Sequence, residues 1–237
     1  NNNFNLSEPF SGLFTQGMVC HETYRDQDNN WLHPDEVISK DGKNFYKKNN
    51  LSERVIVGPI ESMSKSKKNT IEPSIMIERY GADAVRLFIL SDSPPEKDIQ
   101  WSDTGVNAAY KFVQKIHSFT LLVLNKSEKL SSTDKKASKI FEVSINKLIL
   151  KITSAINNFQ LNVAVANFYE FYSILNNAEK IKIEKKIMIT SLVKFLICLK
   201  PFMPHISNEC LELIKFEDLD DKWPMVDDKI LNDEEVK

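Results

Sequence analysis

A chain of 237 residues that is 42% hydrophobic and 27% charged can build sizeable cores, and no run in it approaches the length of a membrane span or a secretory signal. Its three cysteines, Cys20, Cys198 and Cys210, are odd in number and scattered, which argues against a disulfide framework and for a reducing compartment, so a cytoplasmic location is expected. The net charge of −2 hides an uneven distribution: residues 104–215 hold 16 Lys, no Arg and 8 acidic residues (+8), residues 216–237 hold 3 Lys against 9 acidic residues (−6), and the first 103 residues carry −4. A basic middle segment between acidic ones predicts a domain boundary near Gly105 and a surface that binds polyanions.

In chain order, Phe10 to Tyr24 is glycine-punctuated and partly alternating, Asp41-Gly42-Lys43 is a hairpin turn signal, and Arg54-Val55-Ile56-Val57 is a short β-branched strand, so residues from about 26 to 50 read as a small β-rich excursion. Pro73 to Tyr80 and Ala82 to Leu90 read as two helices separated by Gly81. Thr104 to Asn125 predicts a long helix that buries Ala109, Val113 and Ile116. Ile145, Leu148, Ile149, Ile152, Ile156 and Phe159 form the apolar stripe of a second helix, and Met188, Leu192, Phe195, Leu196 and Leu199 that of a fourth. Between them Asn162 is placed to cap a helix that buries Ala164, Phe168, Phe171, Tyr172 and Leu175. Lys200-Pro201 stops the fourth helix and Pro204 suits the first turn of a fifth. The aromatic residues coincide with these stripes and are expected in the core of a bundle rather than on a base-stacking surface. Cys198 and Cys210 lie on apolar faces and read as core residues. Cys20, His21 and His33 have incomplete ligand spacing, so no metal site is expected.

The most chemically loaded stretch is Glu61-Ser62-Met63-Ser64-Lys65-Ser66-Lys67-Lys68-Asn69, which gathers three ammonium groups, three hydroxyls and an amide after Gly58-Pro59. Lysines and hydroxyls on an irregular loop can follow the negative charge that builds on a phosphoryl centre and its leaving pyrophosphate. A lone run of this kind is ordinarily a solvated basic turn. Here the order of residues speaks against that reading.

Ser62-Met63-Ser64-Lys65-Ser66 resembles the Lys-Met-Ser-Lys-Ser signature loop of class I aminoacyl-tRNA synthetases, and Lys67-Lys68-Asn69 is similar to its continuation in leucyl enzymes of bacterial type. Leu13-Phe14-Thr15-Gln16-Gly17-Met18-Val19, Tyr80-Gly81-Ala82-Asp83-Ala84-Val85-Arg86-Leu87-Phe88, Ser93-Pro94-Pro95-Glu96-Lys97-Asp98-Ile99-Gln100-Trp101 and Lys200-Pro201-Phe202-Met203-Pro204-His205-Ile206 resemble stretches that stand in the same order in leucyl-tRNA synthetases. The family's His-x-Gly-His element has no match at His21, His33, His117 or His205, so the resemblance implies a piece running from the late catalytic domain through the anticodon-binding helical domain. It also implies the fold: mainly α, an incomplete α/β nucleotide-binding portion with a small β-rich, leucine-specific-type insertion at about 26–50, then a helical bundle. The implied domains are 1–103 for the catalytic part with its connecting helices, 104–215 for the bundle, and 216–237 as an acidic tail toward a further domain.

The reaction implied is the attachment of leucine to tRNA(Leu) through a leucyl-adenylate made from ATP, with Mg2+ accompanying the ATP and no membrane involved. Lys65, Ser64 and Ser66 match the motif positions expected to act on the phosphates, and Ser62, Met63, Ser64, Lys65, Ser66, Lys67, Lys68 and Asn69 together are the expected phosphate-contacting loop. Ser62 departs from the pattern, which has lysine there, and the resemblance does not say whether Lys67 or Lys68 replaces that cation. The partners implied are leucine, ATP, tRNA(Leu) and the remainder of a synthetase chain, without which the piece is expected to be inactive. Two other classes of function fit parts of the chain: a non-catalytic tRNA-binding module derived from a synthetase, and a structural piece whose loop is an unused relic. The loop favours the enzyme, because Ser64, Lys65 and Ser66 all remain.

Overall fold

The computed structural model describes residues 10–125, 135–180, 183–215 and 222–226. The chain divides into two compact units, Asn1–Asn69 with Pro94–Gln100 and Thr70–Ser93 with Trp101–Lys237. Most of the acidic tail predicted at 216–237, including residues 216–221 and 227–237, lies outside the described residues.

The first unit is built from β1 (Val19–Arg25), β2 (Trp31–Leu32), β3 (Val37–Ser39), β4 (Phe45–Lys47), β5 (Asn50–Arg54), β6 (Ile56–Ser62) and β7 (Ile99–Gln100). β1 pairs antiparallel with β2 and β6 and parallel with β7, while β3, β4 and β5 form a separate antiparallel meander. The turn signal at Asp41-Gly42 is the β3–β4 connection. Gly42 takes a left-handed φ of 69°, and the Asp41 carboxylate accepts the N–H groups of Lys43 and Asn44 at 3.0 and 2.7 Å. Hydrogen bonds from the Asn44 backbone and side chain, then from Lys43, hold the Asp41 carboxyl down at about 2.

The β-branched run Arg54-Val55-Ile56-Val57 is not one strand. Val55 donates its N–H to Phe45 O (2.9 Å) and buries its side chain with Tyr24 and Leu32, so Arg54 closes β5 in the meander and Ile56 opens β6 beside β1. The meander therefore runs past the expected limit of 50 to Arg54.

The second unit contains α1 (Pro73–Tyr80), α2 (Ala82–Ser91), α3 (Asp103–Asn125), α4 (Lys135–Asn157), α5 (Leu161–Lys180), α6 (Lys185–Leu199) and α7 (Pro204–Ile214). Gly81, at φ 80°, ends α1 and begins α2, a conformation that only glycine enters without strain. The apolar stripes converge on a core in which Ile116, Ile145, Leu148, Ile149, Ile152, Phe168, Phe171, Leu175, Met188 and Phe195 are all almost fully buried. Phe168 packs edge-on to Phe202 at 4.9 Å between ring centroids and Phe171 lies 5.1 Å from Phe195, the aromatic core expected of this bundle. Cys198 and Cys210 are buried as expected, and desolvation pushes the Cys198 thiol up to about 12.

Further local expectations fail. Val113 and Tyr172, expected to be buried, are only half-buried. The stripe of α4 stops at Ile156, because the helix ends at Asn157 and Phe159 takes a left-handed φ of 55° with 55% of its surface exposed. Asn162 does not cap α5: it lies inside the first turn, and the flanking carbonyl that accepts the Ala164 N–H, at 3.0 Å, belongs to Gln160.

Two of the sequence motifs meet on α2. Asp83, 5% exposed, accepts the N–H groups of His205 and Ile206 at 3.3 and 2.7 Å, so an acidic residue in the first turn of one helix satisfies the orphan donors opening another. Arg86 donates from Nε to Phe202 O at 3.0 Å and from Nη2 to Pro201 O at 2.8 Å. The turn between α6 and α7 is thus held from both ends by side chains one helical turn apart. Gly105 fits the same region, since a Cβ there would stand 2.6 Å from the Phe88 ring. Asp83→Ala should destabilise the chain by about 2 kcal/mol in urea unfolding, because two donors lose a charged acceptor in a buried place. A change within a few tenths of a kcal/mol would mean that water replaces the carboxylate at α7.

Candidate functional site

The loop singled out by its chemistry begins inside a strand. Glu61 and Ser62 are the last residues of β6, paired with His21 and Cys20 of β1. The β1–β6 ladder breaks register between Glu22 and Tyr24, where Gly58 and Pro59 face Thr23, and the Thr23 hydroxyl donates to Pro59 O at 3.1 Å. A bulge at this point lets a proline sit in a paired strand and increases the local twist before the chain leaves the sheet. Gly58 is required for contact: a Cβ there would lie 2.4 Å from Thr23 Oγ1.

Beyond Ser62 the backbone stays tied. Met63 donates its N–H to Val19 O (3.0 Å), extending the ladder by one bond. Residues 65–68 then form a hydrogen-bonded turn in which Lys68 N–H donates to Lys65 O at 3.3 Å and Lys68 takes a left-handed φ of 53°. The Ser64 hydroxyl accepts the Lys67 N–H (3.4 Å) and stands 3.4 Å from Ser66 Oγ. The loop closes on Asn69, which is fully buried. Its Oδ1 accepts the Ser64 N–H at 2.8 Å, and its Nδ2 faces the carbonyls of Glu61, Ser62 and His21 at 3.2, 3.4 and 3.4 Å.

The eight residues expected to contact phosphate therefore stand in different environments. Lys65, Ser66 and Lys68 are exposed, and Ser64 and Met63 are half-buried. Lys67 is half-buried and paired with the Glu61 carboxylate, so its charge is already matched within the loop. Ser62, in the position where the resemblance places a lysine, is exposed, with its hydroxyl 4.0 Å from Cys20 Sγ. Asn69 has its carboxamide engaged by the backbone. Sequence reasoning grouped Asn69 with the phosphate ligands and missed the partners it holds. A lone amide ending a run of hydroxyls and lysines is the only signal in the sequence, and the carbonyls it serves lie on two strands, the end of β6 and β1. Among the described residues no three His, Cys, Asp or Glu gather as a metal site, and no described helix is long and apolar enough to cross a membrane.

In the second unit the expected basic surface is carried largely by exposed lysines. Lys111, Gln114, Lys115 and Ser118 of α3, with Tyr172 and Asn176 of α5, line a groove of about 400 Å³. Other lysines serve the fold. Lys151 pairs with Glu170 at 3.4 Å, and Lys185 Nζ donates to Leu124 O at 3.0 Å near the end of α3.

Residues 26–102 match the family model for class I tRNA synthetases of the I, L, M and V group, and residues 138–237 match that for the anticodon-binding domain of tRNA ligase. The leucine–tRNA ligase of Orientia tsutsugamushi (strain Boryong) is 37% identical over 233 residues, 97% of this chain and 27% of that protein. That of Rickettsia canadensis (strain McKiel) is 42% identical over 214 residues, 88% of this chain and 24% of that protein. The chain belongs to the leucine–tRNA ligase family. It spans about a quarter of the length of these leucine–tRNA ligases. Among solved structures, the ternary complex of Agrobacterium radiobacter K84 agnB2 LeuRS with tRNA and LeuAMS shares the fold at TM-score 0.65 and 23% identity, over 72% of this chain and 23% of that one. A Mycobacterium tuberculosis methionyl-tRNA synthetase bound by methionyl-adenylate does so at TM-score 0.56 and 16% identity, over 64% and 35% of the two chains.

In this member of the leucine–tRNA ligase family the signature-like loop depends on the β1–β6 ladder for its placement. Gly58→Ala should force the Thr23 hydroxyl aside, lose its bond to Pro59 and destabilise the first unit by about 1–3 kcal/mol. Urea unfolding followed at the amides of Val19–Arg25 measures it. Adding Thr23→Ala should recover part of the loss, because the clash is with the hydroxyl; an unchanged loss in the double variant would place the strain elsewhere.

Proposed function

We propose that this chain supplies the triphosphate-handling loop and the tRNA-binding helical domain of a leucine–tRNA ligase. In the reaction, a leucine carboxylate oxygen attacks the α-phosphorus of ATP, leucyl-adenylate forms and pyrophosphate leaves; a terminal ribose hydroxyl of tRNA(Leu) then takes the leucyl group and AMP leaves. ATP enters with Mg2+ on its phosphates. The observation that carries the reading is Lys65, an exposed ammonium on a turn whose two ends are tied to the sheet. As charge moves onto the departing pyrophosphate, an ammonium placed there gains more in the transition state than in the bound substrate. The Ser66 hydroxyl is exposed beside it and able to donate to the same oxygens. Lys68, exposed where Lys67 is paired, is the better candidate to replace the cation that Ser62 lacks.

The loop role is tested by leucine-dependent exchange of pyrophosphate into ATP. The 237 residues by themselves should give none, and a full-length leucine–tRNA ligase carrying this sequence over the matching quarter should. There, Lys65→Ala should slow adenylate formation on the order of a hundredfold, about 3 kcal/mol of transition-state stabilisation, with leucine binding little changed. A loss confined to leucine affinity would contradict the role, and exchange by the 237 residues above a Lys65→Ala control would contradict their dependence on further chain.

The helical unit is assigned to tRNA through phosphates. Its lysines act as point charges, whereas base edges are commonly read by the planar fork of arginine, which residues 104–215 lack. The groove with Lys111 and Lys115 is where such a backbone would run. With some four to six phosphates neutralised, the log–log salt slope of tRNA binding should be about −3 to −5, and changing anticodon bases should matter less than raising salt. A flat salt response, or a large loss on an anticodon swap at fixed salt, would reject the assignment.

A further inference from the structure

Asn69 is the one fully buried side chain between Ser62 and Asn69, and all its polar capacity is spent on backbone. Its oxygen takes the Ser64 N–H at 2.8 Å, closing a ring around residues 65–68, and its nitrogen lies within 3.4 Å of three carbonyls, two at the end of β6 and one, His21 O, on β1. A single carboxamide therefore joins the start of the turn, its end and the two strands below it. We propose that Asn69 is a positioning residue for triphosphate capture: it holds the Ser64–Lys68 turn closed on the sheet so that Lys65 and Ser66 are presented outward before any ligand arrives.

The inference rests on the triphosphate reading of the loop. Its physical ground is separate. A four-residue turn bearing three ammonium groups repels itself, and fixing such a turn only when a ligand binds would set its ordering cost against the affinity. The Asn69 bridge meets that cost in advance. The Glu61–Lys67 pair works in the same direction, since it matches one of the three charges at the base of the turn.

The chemistry asks for asparagine. Aspartate would keep the shape and the acceptor for Ser64 but would point a second acceptor at three carbonyls; alanine would remove both the acceptor of Ser64 N–H and the donor to those carbonyls; glutamine would carry the amide one methylene too far.

The test is nuclear magnetic resonance on the whole chain and its Asn69→Asp and Asn69→Ala variants, with inorganic tripolyphosphate as the probe. Exchange of the Ser64 amide should quicken about tenfold in Asn69→Ala, which removes its acceptor, and change little in Asn69→Asp, which keeps it, while the amides of Phe45–Lys47 and Asp103–Asn125 keep their rates, which separates loss of the bridge from loss of the fold. The tripolyphosphate Kd read at Lys65 and Ser66 should rise about tenfold, and Lys65→Ala, which should weaken binding in the parent chain, should add nothing in either variant. Unchanged Ser64 exchange in Asn69→Ala would overturn the bridge. Faster exchange with undiminished Lys65-dependent binding would overturn its positioning role. If the parent chain shows no Lys65-dependent binding, the triphosphate reading fails and the positioning role with it, while Ser64 exchange still decides whether the bridge exists.

Discussion

Backbone N–H and C=O groups stranded where helices and strands end must find partners once they are shielded from water, and this constraint shapes both units of the chain. In each, one short polar side chain meets it. Asn69 bonds the Ser64 N–H and the Glu61 and Ser62 carbonyls at the end of β6, and Asp83 takes the first donors of α7. Neither residue is chosen for its own local conformation. Each serves the backbone of another segment: Asp83 that of a helix far away in sequence, Asn69 that of the strand end just before its own turn and of β1 beside it.

That division explains which parts of the fold were legible in the sequence. Most of the helical stripes read correctly because burial in a bundle repeats every three to four residues, and the Met188 to Leu199 stripe follows that period closely enough to name its core, whereas Val113 and Tyr172 are only half-buried. Asp41-Gly42 read correctly because an aspartate that accepts the amides of its own turn and a glycine at positive φ are local devices. The failures have the opposite character. Phe159 fits the helical period, yet α4 stops two residues earlier and the ring faces solvent. Arg54-Val57 has strand composition, yet burial of Val55 against Tyr24 and Leu32 divides it between two sheets. Asn162 is a good cap residue in a place where the chain enters the helix earlier.

The candidate site shows the same split. Lys65, Ser64 and Ser66 were found from their chemistry and from resemblance to a signature loop, because residues that meet a ligand are constrained one by one. What could not be read was which of the lysines stands ready. Pairing with Glu61 sets Lys67 apart from Lys65 and Lys68, and the buried amide sets Asn69 apart from all of them. A loop that reads as an undivided run of cations and hydroxyls is a tied base with an exposed tip.

The central claim is that this tip receives a triphosphate, and quantitative lysine acetylation of the intact chain, with and without tripolyphosphate, tests it most directly. The account predicts selective protection of Lys65, with a smaller effect at Lys68 and none at Lys40 or Lys43, which are lysines of the same unit with no part in the loop. Protection spread evenly over exposed lysines, or found only on those of residues 104–215, would contradict it.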